Sequence, residues 1–144
     1  MIDLGALKST DLFHDLPDRT LKTIAGFSSA KSIEEGDHIY QLGDDASDLY
    51  LLMSGRVRFS LGVGNRPGAS GSLILPGQVF GWAALLQERP RRVATATCLE
   101  DSELYVIPGA KLLDLFDREK AAGYVVMRRL ATMITRDFSA AMSV

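Results

Sequence analysis

The segment 75–98, LPGQVFGWAALLQERPRRVATATC, holds the residues whose types and spacing could do chemistry. Pro76, Gly77 and Gly81 close an apolar run, and the short apolar stretch Ala83-Ala84-Leu85-Leu86 follows. Arg89-Pro90-Arg91-Arg92 then leads into an alternating run, Val93 to Cys98. The pattern reads as strand, tight turn, a short helix over about 82–87, loop and strand. A glycine-opened helix leaves its first backbone N–H groups, here those of Ala83 and Ala84, without acceptors, and its dipole favours an anion beside them. Arg92, returning on the next strand, can add two parallel N–H···O bonds to the same anion. The expected chemistry is the holding of one phosphate-like anion inside a β-sheet protein. Arg91 is the alternative clamp, because a shift of one residue along a strand turns the neighbouring side chain inward.

Other chemistries find no support. His14 and His38 are distant in sequence and have no cysteine or aspartate at ligand spacing, so no metal is assigned. Gly62-x-Gly64 lacks the third glycine and the following helix of a dinucleotide loop. No serine sits in a G-x-S-x-G elbow. Asp44, Asp45 and Asp48 lack the glycine and bidentate glutamate of a calcium loop. The reading is therefore of a protein that is not an enzyme. A metal-dependent barrel enzyme would need clustered histidines that these two do not provide.

The elements that must position the clamp come from the changing period of the chain. Its 144 residues suit one domain, able to bury roughly two thirds of its unfolded surface. In the first 28 residues Leu21, Ile24 and Ala25 recur at helical spacing after Pro17, with Asp15 as a possible cap and Gly26 as the expected end. From 29 to 108 the period becomes alternating, with short strands around Ile33, His38–Gly43, Leu49–Met53, Arg56–Leu61, Ser72–Leu75 and Glu103–Ile107. Glycine-rich residues 62–71 are expected as a turn, and Pro108-Gly109 as a stop. From 109 to 144 the tail is helical, with a short helix over Lys111–Phe116 and a longer one from Arg118 to about Ala141. Its apolar stripe runs through Gly123, Val126 or Met127, Leu130, Met133 or Ile134, and Phe138. The fold class expected is mainly β with flanking helices. A net charge of −2 argues against nucleic-acid binding by this chain alone. No apolar run approaches a membrane span, and a single cysteine, Cys98, suits the cytoplasm.

Phe80-Gly81, Ala84-Leu85 and Arg92-x-Ala94-Thr95-Ala96 resemble the phosphate-binding cassette of cyclic-nucleotide-binding domains, the catabolite activator-like superfamily. The family pattern is F-G-E-x-A-L, a spacer, then R-[ST]-A-T. Phe13, Leu16, Leu21 and Ile24 resemble the family's opening, and Gly36, Gly43, Gly55, Gly77 and Gly81 stand in its order. The resemblance implies a jelly-roll (double-stranded β-helix) barrel with N-terminal helices and a long C-terminal helix, over residues 1–144 as one domain. It implies a cAMP or cGMP ligand at Gly81, Trp82, Ala83, Ala84, Leu85, Arg92 and Val93. It also implies output through the helices from Lys111 onward, a lid contact near Arg128, Arg129 and Thr132, and a homodimer through the 118–141 helix. The helix-turn-helix domain that follows in the family's transcription regulators is not among these residues, which fits either a free-standing sensor or a piece of a longer chain. Trp82 replaces the glutamate that binds the ribose 2′-hydroxyl, and Val93 replaces a serine or threonine. Trp82 either fills the barrel mouth, stacks on a base or sugar, or blocks the pocket. The second expectation is the same fold with a changed or lost ligand, serving as a dimerisation module.

Overall fold

The computed structural model describes residues 2–61, 72–86 and 90–142. The expected glycine-rich turn over 62–71 lies outside the described residues, as does residue 87, the far end of the expected cassette helix. Two short helices open the chain, α1 (Leu4–Lys8) and α2 (Asp18–Phe27). The strands are β1 (Ser29–Ile33), β2 (His38–Tyr40), β3 (Asp48–Ser54), β4 (Val57–Leu61), β5 (Ser72–Ile74), β6 (Val79–Phe80), β7 (Ala94–Cys98) and β8 (Ser102–Pro108). A 3₁₀ turn, Trp82–Leu85, separates β6 from β7, and α3 (Gly109–Arg118) and α4 (Lys120–Met142) close the chain.

The strands form two antiparallel sheets, ordered β1-β8-β3-β6 and β2-β7-β4-β5. Successive strands mostly alternate between the sheets, the jelly-roll arrangement. Alternation in the sequence explains the layers. Val57 and Phe59 on β4, and Ala94, Ala96 and Cys98 on β7, point into the space between the sheets, while Arg58, Ser60, Thr95 and Thr97 are less buried. In the facing sheet Leu49, Leu51, Leu52, Leu104 and Ile107 supply the other half of the core. The adjacent Leu51 and Leu52 pair in regular register with Tyr105 and Leu104 and are both buried, so both faces of this sheet are covered; the register of β3 against β8 shifts only beyond them, between Leu52 and Ser54.

Several element boundaries differ from the sequence expectation. Asp15 does not cap α2; it adopts a left-handed φ of 63°, and Pro17 is the N-cap, its carbonyl accepting from the Thr20 and Leu21 amides. Gly26 does not end α2, which continues to Phe27 and stops where Ser28 Oγ donates back to the Ile24 carbonyl at 2.6 Å. Pro108-Gly109 ends β8 as expected, and it also starts a helix earlier than the expected Lys111: Pro108 is the N-cap of α3 and Gly109 its first residue. The Gly109 N–H donates to the Ser47 carbonyl at 2.9 Å. A Cβ at Gly109 would lie 2.7 Å from the Ala84 carbonyl oxygen, so glycine lets α3 begin directly against the 3₁₀ turn. The apolar stripe of α4 also finds partners within the chain. Gly123, Val126, Leu130 and Met133 are buried, and α4 packs on α3, β4 and β5. These residues of the stripe are covered within the chain, whereas Phe138 at its far end is 37% exposed.

Candidate functional site

The site begins at the end of β6. Gly81 has φ 82° and ψ 31°, left-handed backbone that suits glycine. A Cβ there would stand 3.0 Å from Tyr50 Cδ2, 3.2 Å from Arg92 Nη1 and 3.2 Å from the Asp48 carbonyl oxygen. Gly81 is thus fixed by conformation and by the side chains crowding it. Trp82–Leu85 then make a single 3₁₀ turn, shorter than the helix expected over 82–87, because Leu86 swings to extended backbone. The Ala84 N–H, expected as an anion donor, points instead at the Gly81 carbonyl at 3.3 Å.

Arg92 is anchored before its side chain is considered. Its N–H donates to the Asp44 carbonyl at 2.8 Å, and its own carbonyl accepts from Gly43 at 2.9 Å. The side chain is 3% exposed. Nη1 donates to the Gly81 carbonyl at 2.9 Å and Nη2 to the Asp48 carbonyl at 2.6 Å. The guanidinium carbon lies 4.1 Å from the Tyr40 ring centroid and 5.7 Å from that of Tyr50, within cation–π range. Nε is buried with no acceptor. Among the described residues no carboxylate pairs with this cation. A charge buried without a counter-charge costs several kcal/mol, against which the two carbonyl hydrogen bonds and the tyrosine face act. Burial pushes the Tyr40 and Tyr50 hydroxyls up, against the opposing pull of Arg92.

Trp82 closes the remaining space. It is 3% exposed, with its ring centroid 6.3 Å from Phe59 and 5.9 Å from Phe138. Indole Nε1 donates to Asp137 Oδ2 at 3.0 Å. Burial pushes the Asp137 carboxyl up from the ordinary carboxylate value; the Trp82 hydrogen bond and Arg136 pull it down, and Asp11 adds to the rise. The cavity left between Tyr40, Phe59, Gly81, Trp82, Arg92 and Val93 is about 10 Å³, room for about one water.

Five of the seven residues expected at the site, Gly81, Trp82, Ala83, Arg92 and Val93, line this one cavity. Ala84 and Leu85 are buried beside it, with Ala84 turned toward α3. Val93 is 38% exposed. Arg91 faces outward, donating to the Gly43 carbonyl at 3.2 Å and lying 3.5 Å from Asp45, so Arg92 is the inward arginine. The expected lid residues lie elsewhere. Arg128, Arg129 and Thr132, with Tyr124 and Val125, line a separate cavity of about 310 Å³ on α4. Arg129 Nη1 donates to the Leu12 and His14 carbonyls at 3.1 and 2.6 Å, because its face of the helix meets the N-terminal segment. Among the described residues, Asp137 and Phe138 of α4 reach the 3₁₀ turn; sequence reasoning put Phe138 on the apolar stripe and Asp137 on the polar side and placed neither at the site, nor Tyr40, Tyr50 and Phe59. One signal was present: Asp137 falls four residues after Met133 and seven after Leu130, a charge placed on the buried stripe. Among the described residues no group of three or more His, Cys, Asp or Glu is arranged to hold a metal.

A family model described as "Cyclic nucleotide-binding domain" matches residues 30–119. The "Cyclic AMP receptor protein" of Thermus thermophilus is 30% identical over 131 residues, which are 90% of this chain and 58% of that protein. The chain thus spans little more than half the length of this curated relative. A crystal structure from Geobacter metallireducens superposes with a TM-score of 0.81 at 27% identity, over 96% of this chain and 99% of that one. The regulatory domain of Toxoplasma gondii PKA, solved with cAMP, gives a TM-score of 0.69 at 26% identity, over 84% of this chain and 45% of that one.

Proposed function

The chain belongs to the cyclic nucleotide-binding domain family, and from that premise we propose that it is a non-enzymatic sensor module whose ligand is a small anion, in the first instance cAMP or cGMP. The ligand would meet Arg92 and the 81–85 turn, with Trp82 and Val93 at its edge. The observation that carries this reading is the state of Arg92: a buried guanidinium facing the cavity, with no carboxylate partner among the described residues and with Nε unpartnered. An anion would supply the missing counter-charge. Gly109 packs against Ala84, so a displacement of the turn would bear directly on the first residue of α3 and then on α4. A ligand biases those helices only as far as it contacts their two positions differently. A second copy would meet the exposed face of α4 around Tyr124, which is 64% exposed, and the module would work in the cytoplasm.

The same fold with a changed or lost ligand is the second reading. It is favoured by Trp82, which fills the space and offers a donor where a ribose hydroxyl would need an acceptor. Calorimetric titration and thermal melts with cAMP and cGMP separate the two. A ligand at a hundred times its Kd adds about 2.7 kcal/mol, a rise of several degrees in a domain of this size. The rise is expected for the wild type and is expected to vanish in Arg92→Ala. No heat and no rise with either nucleotide would leave the second reading standing.

A further inference from the structure

The indole of Trp82 does two things at once. It occupies the space in front of Arg92, leaving about 10 Å³, and it holds the far end of α4 through Asp137 and Phe138. Toward that end the helix is less deeply buried. Gly123, Val126, Leu130 and Met133 bury its first part, whereas Thr135, Arg136, Phe138 and Ser139 are exposed and Asp137 is half-buried. Ile134 packs against the core, and Arg136 Nη2 donates to Asp11 Oδ2 at 3.2 Å, a largely exposed pair of the kind that contributes little. Indole can only donate, so Asp137 Oδ2 is the acceptor that keeps Nε1 satisfied while buried. Neither half of the contact is comfortable without the other. A freed indole N–H would be buried without an acceptor, and a freed Asp137 would be a half-buried carboxylate.

Resting on the anion-binding reading above, we propose that Trp82 and Asp137 form an autoinhibitory latch: the indole is an internal plug in the anion site, and an anion reaching Arg92 ejects it and undocks the end of α4. Plug and ligand are mutually exclusive because the cavity beside the seated indole is too small for a cyclic phosphate. The coupling therefore has a definite sign, with the site closed when the last turns of α4 are docked and open when they are released. By reciprocity, anything that holds the end of α4 down weakens anion binding by the same factor.

Trp82 is the single tryptophan in the chain, so its fluorescence reports the plug directly. In the absence of nucleotide, acrylamide quenching and amide hydrogen exchange are compared for wild type and Asp137→Ala; Trp82→Phe, which keeps a ring and removes only the donor, is followed by exchange. Both variants are expected to exchange about tenfold faster over residues 134–142, equivalent to ~1.4 kcal/mol, with β3, β4 and β8 unchanged. Asp137→Ala is also expected to expose Trp82 to quencher. Unchanged quenching and exchange would overturn the latch whatever the ligand. Calorimetry with cAMP, cGMP and inorganic phosphate then follows. Asp137→Ala is expected to bind a nucleotide about tenfold more tightly than wild type, since less of the protein is held in the closed form. Nucleotide added to wild type should shift Trp82 emission to the red. Equal affinities, or binding without a shift, would overturn the plug and leave the anion-binding reading intact. No binding by any of the proteins would overturn that reading and the plug together, whereas the quenching experiment stands by itself.

Discussion

At the scale of single residues the site is governed by two charges held away from water, Arg92 and Asp137, with the Trp82 ring between the cavity and the helix. Asp137 makes a pH prediction. Its carboxyl is pushed above the ordinary value of 3.8 by burial, so between that value and its raised one the folded chain binds more protons than the unfolded chain. Stability from this group is fully present below the ordinary value and is lost as pH rises through the raised one. Denaturant melts of wild type and Asp137→Ala between pH 4 and 7, about the range where carboxylates with raised values titrate, should show the wild-type advantage shrinking as pH rises. Taking the difference removes the other carboxylates. An advantage that grows with pH would mean that the Trp82 hydrogen bond and Arg136 outweigh burial. Gly81 and Arg92 were legible in the sequence because one short segment carries them both. The Trp82–Asp137 contact joins residues 55 apart and was not, although a charge on an apolar stripe marked the place. The Arg92 side chain's use of the Gly81 and Asp48 carbonyls was also hidden, since backbone acceptors leave no trace in residue types.

At the scale of elements, the joint between the 3₁₀ turn and α3 is where local rules and packing disagree. A proline followed by glycine reads as a stop, and β8 does end there, but the same pair opens a helix because the barrel presents the Ser47 carbonyl and the turn presents Ala84 at that point. Gly109→Val would drive side-chain atoms into the Ala84 and Ser47 carbonyls, which stand 2.7 and 3.0 Å from a Cβ. The expected loss is about 1–3 kcal/mol, read as a melting temperature several degrees lower. Gly26→Ala, whose Cβ would meet nothing within 4 Å inside α2, is the control and should be neutral or slightly stabilising. A Gly109→Val protein as stable as wild type would show that α3 can pull back from the turn. The strands themselves were legible, because alternation on β4 and β7 is local; their boundaries slipped by a residue or two where a carbonyl on another element decides the end.

At the scale of the whole molecule, the long tail helix buries most of its apolar stripe within its own chain, so the proposed dimer would use what is left outside. Tyr124 is the most exposed large hydrophobic side chain among the described residues, with Arg128 5.8 Å from its ring. Light scattering of wild type and Tyr124→Glu checks this: a dimer that becomes a monomer is expected if α4 is the seam, and an unchanged dimer places the seam elsewhere. The layered β architecture follows from alternation and turn signals, whereas the order of strands within each sheet came only with the structure, since periodicity does not say which strand pairs with which. That order has a consequence for how the chain is made. Strand β1 pairs with β8, Ser32 meeting Glu103 across 71 residues of sequence. On a ribosome adding about 5–20 residues per second, β1 waits roughly four to fourteen seconds for its partner to be synthesised. Through that interval its edge is open to any passing strand, and a nascent chain halted before β8 has a first sheet with no centre.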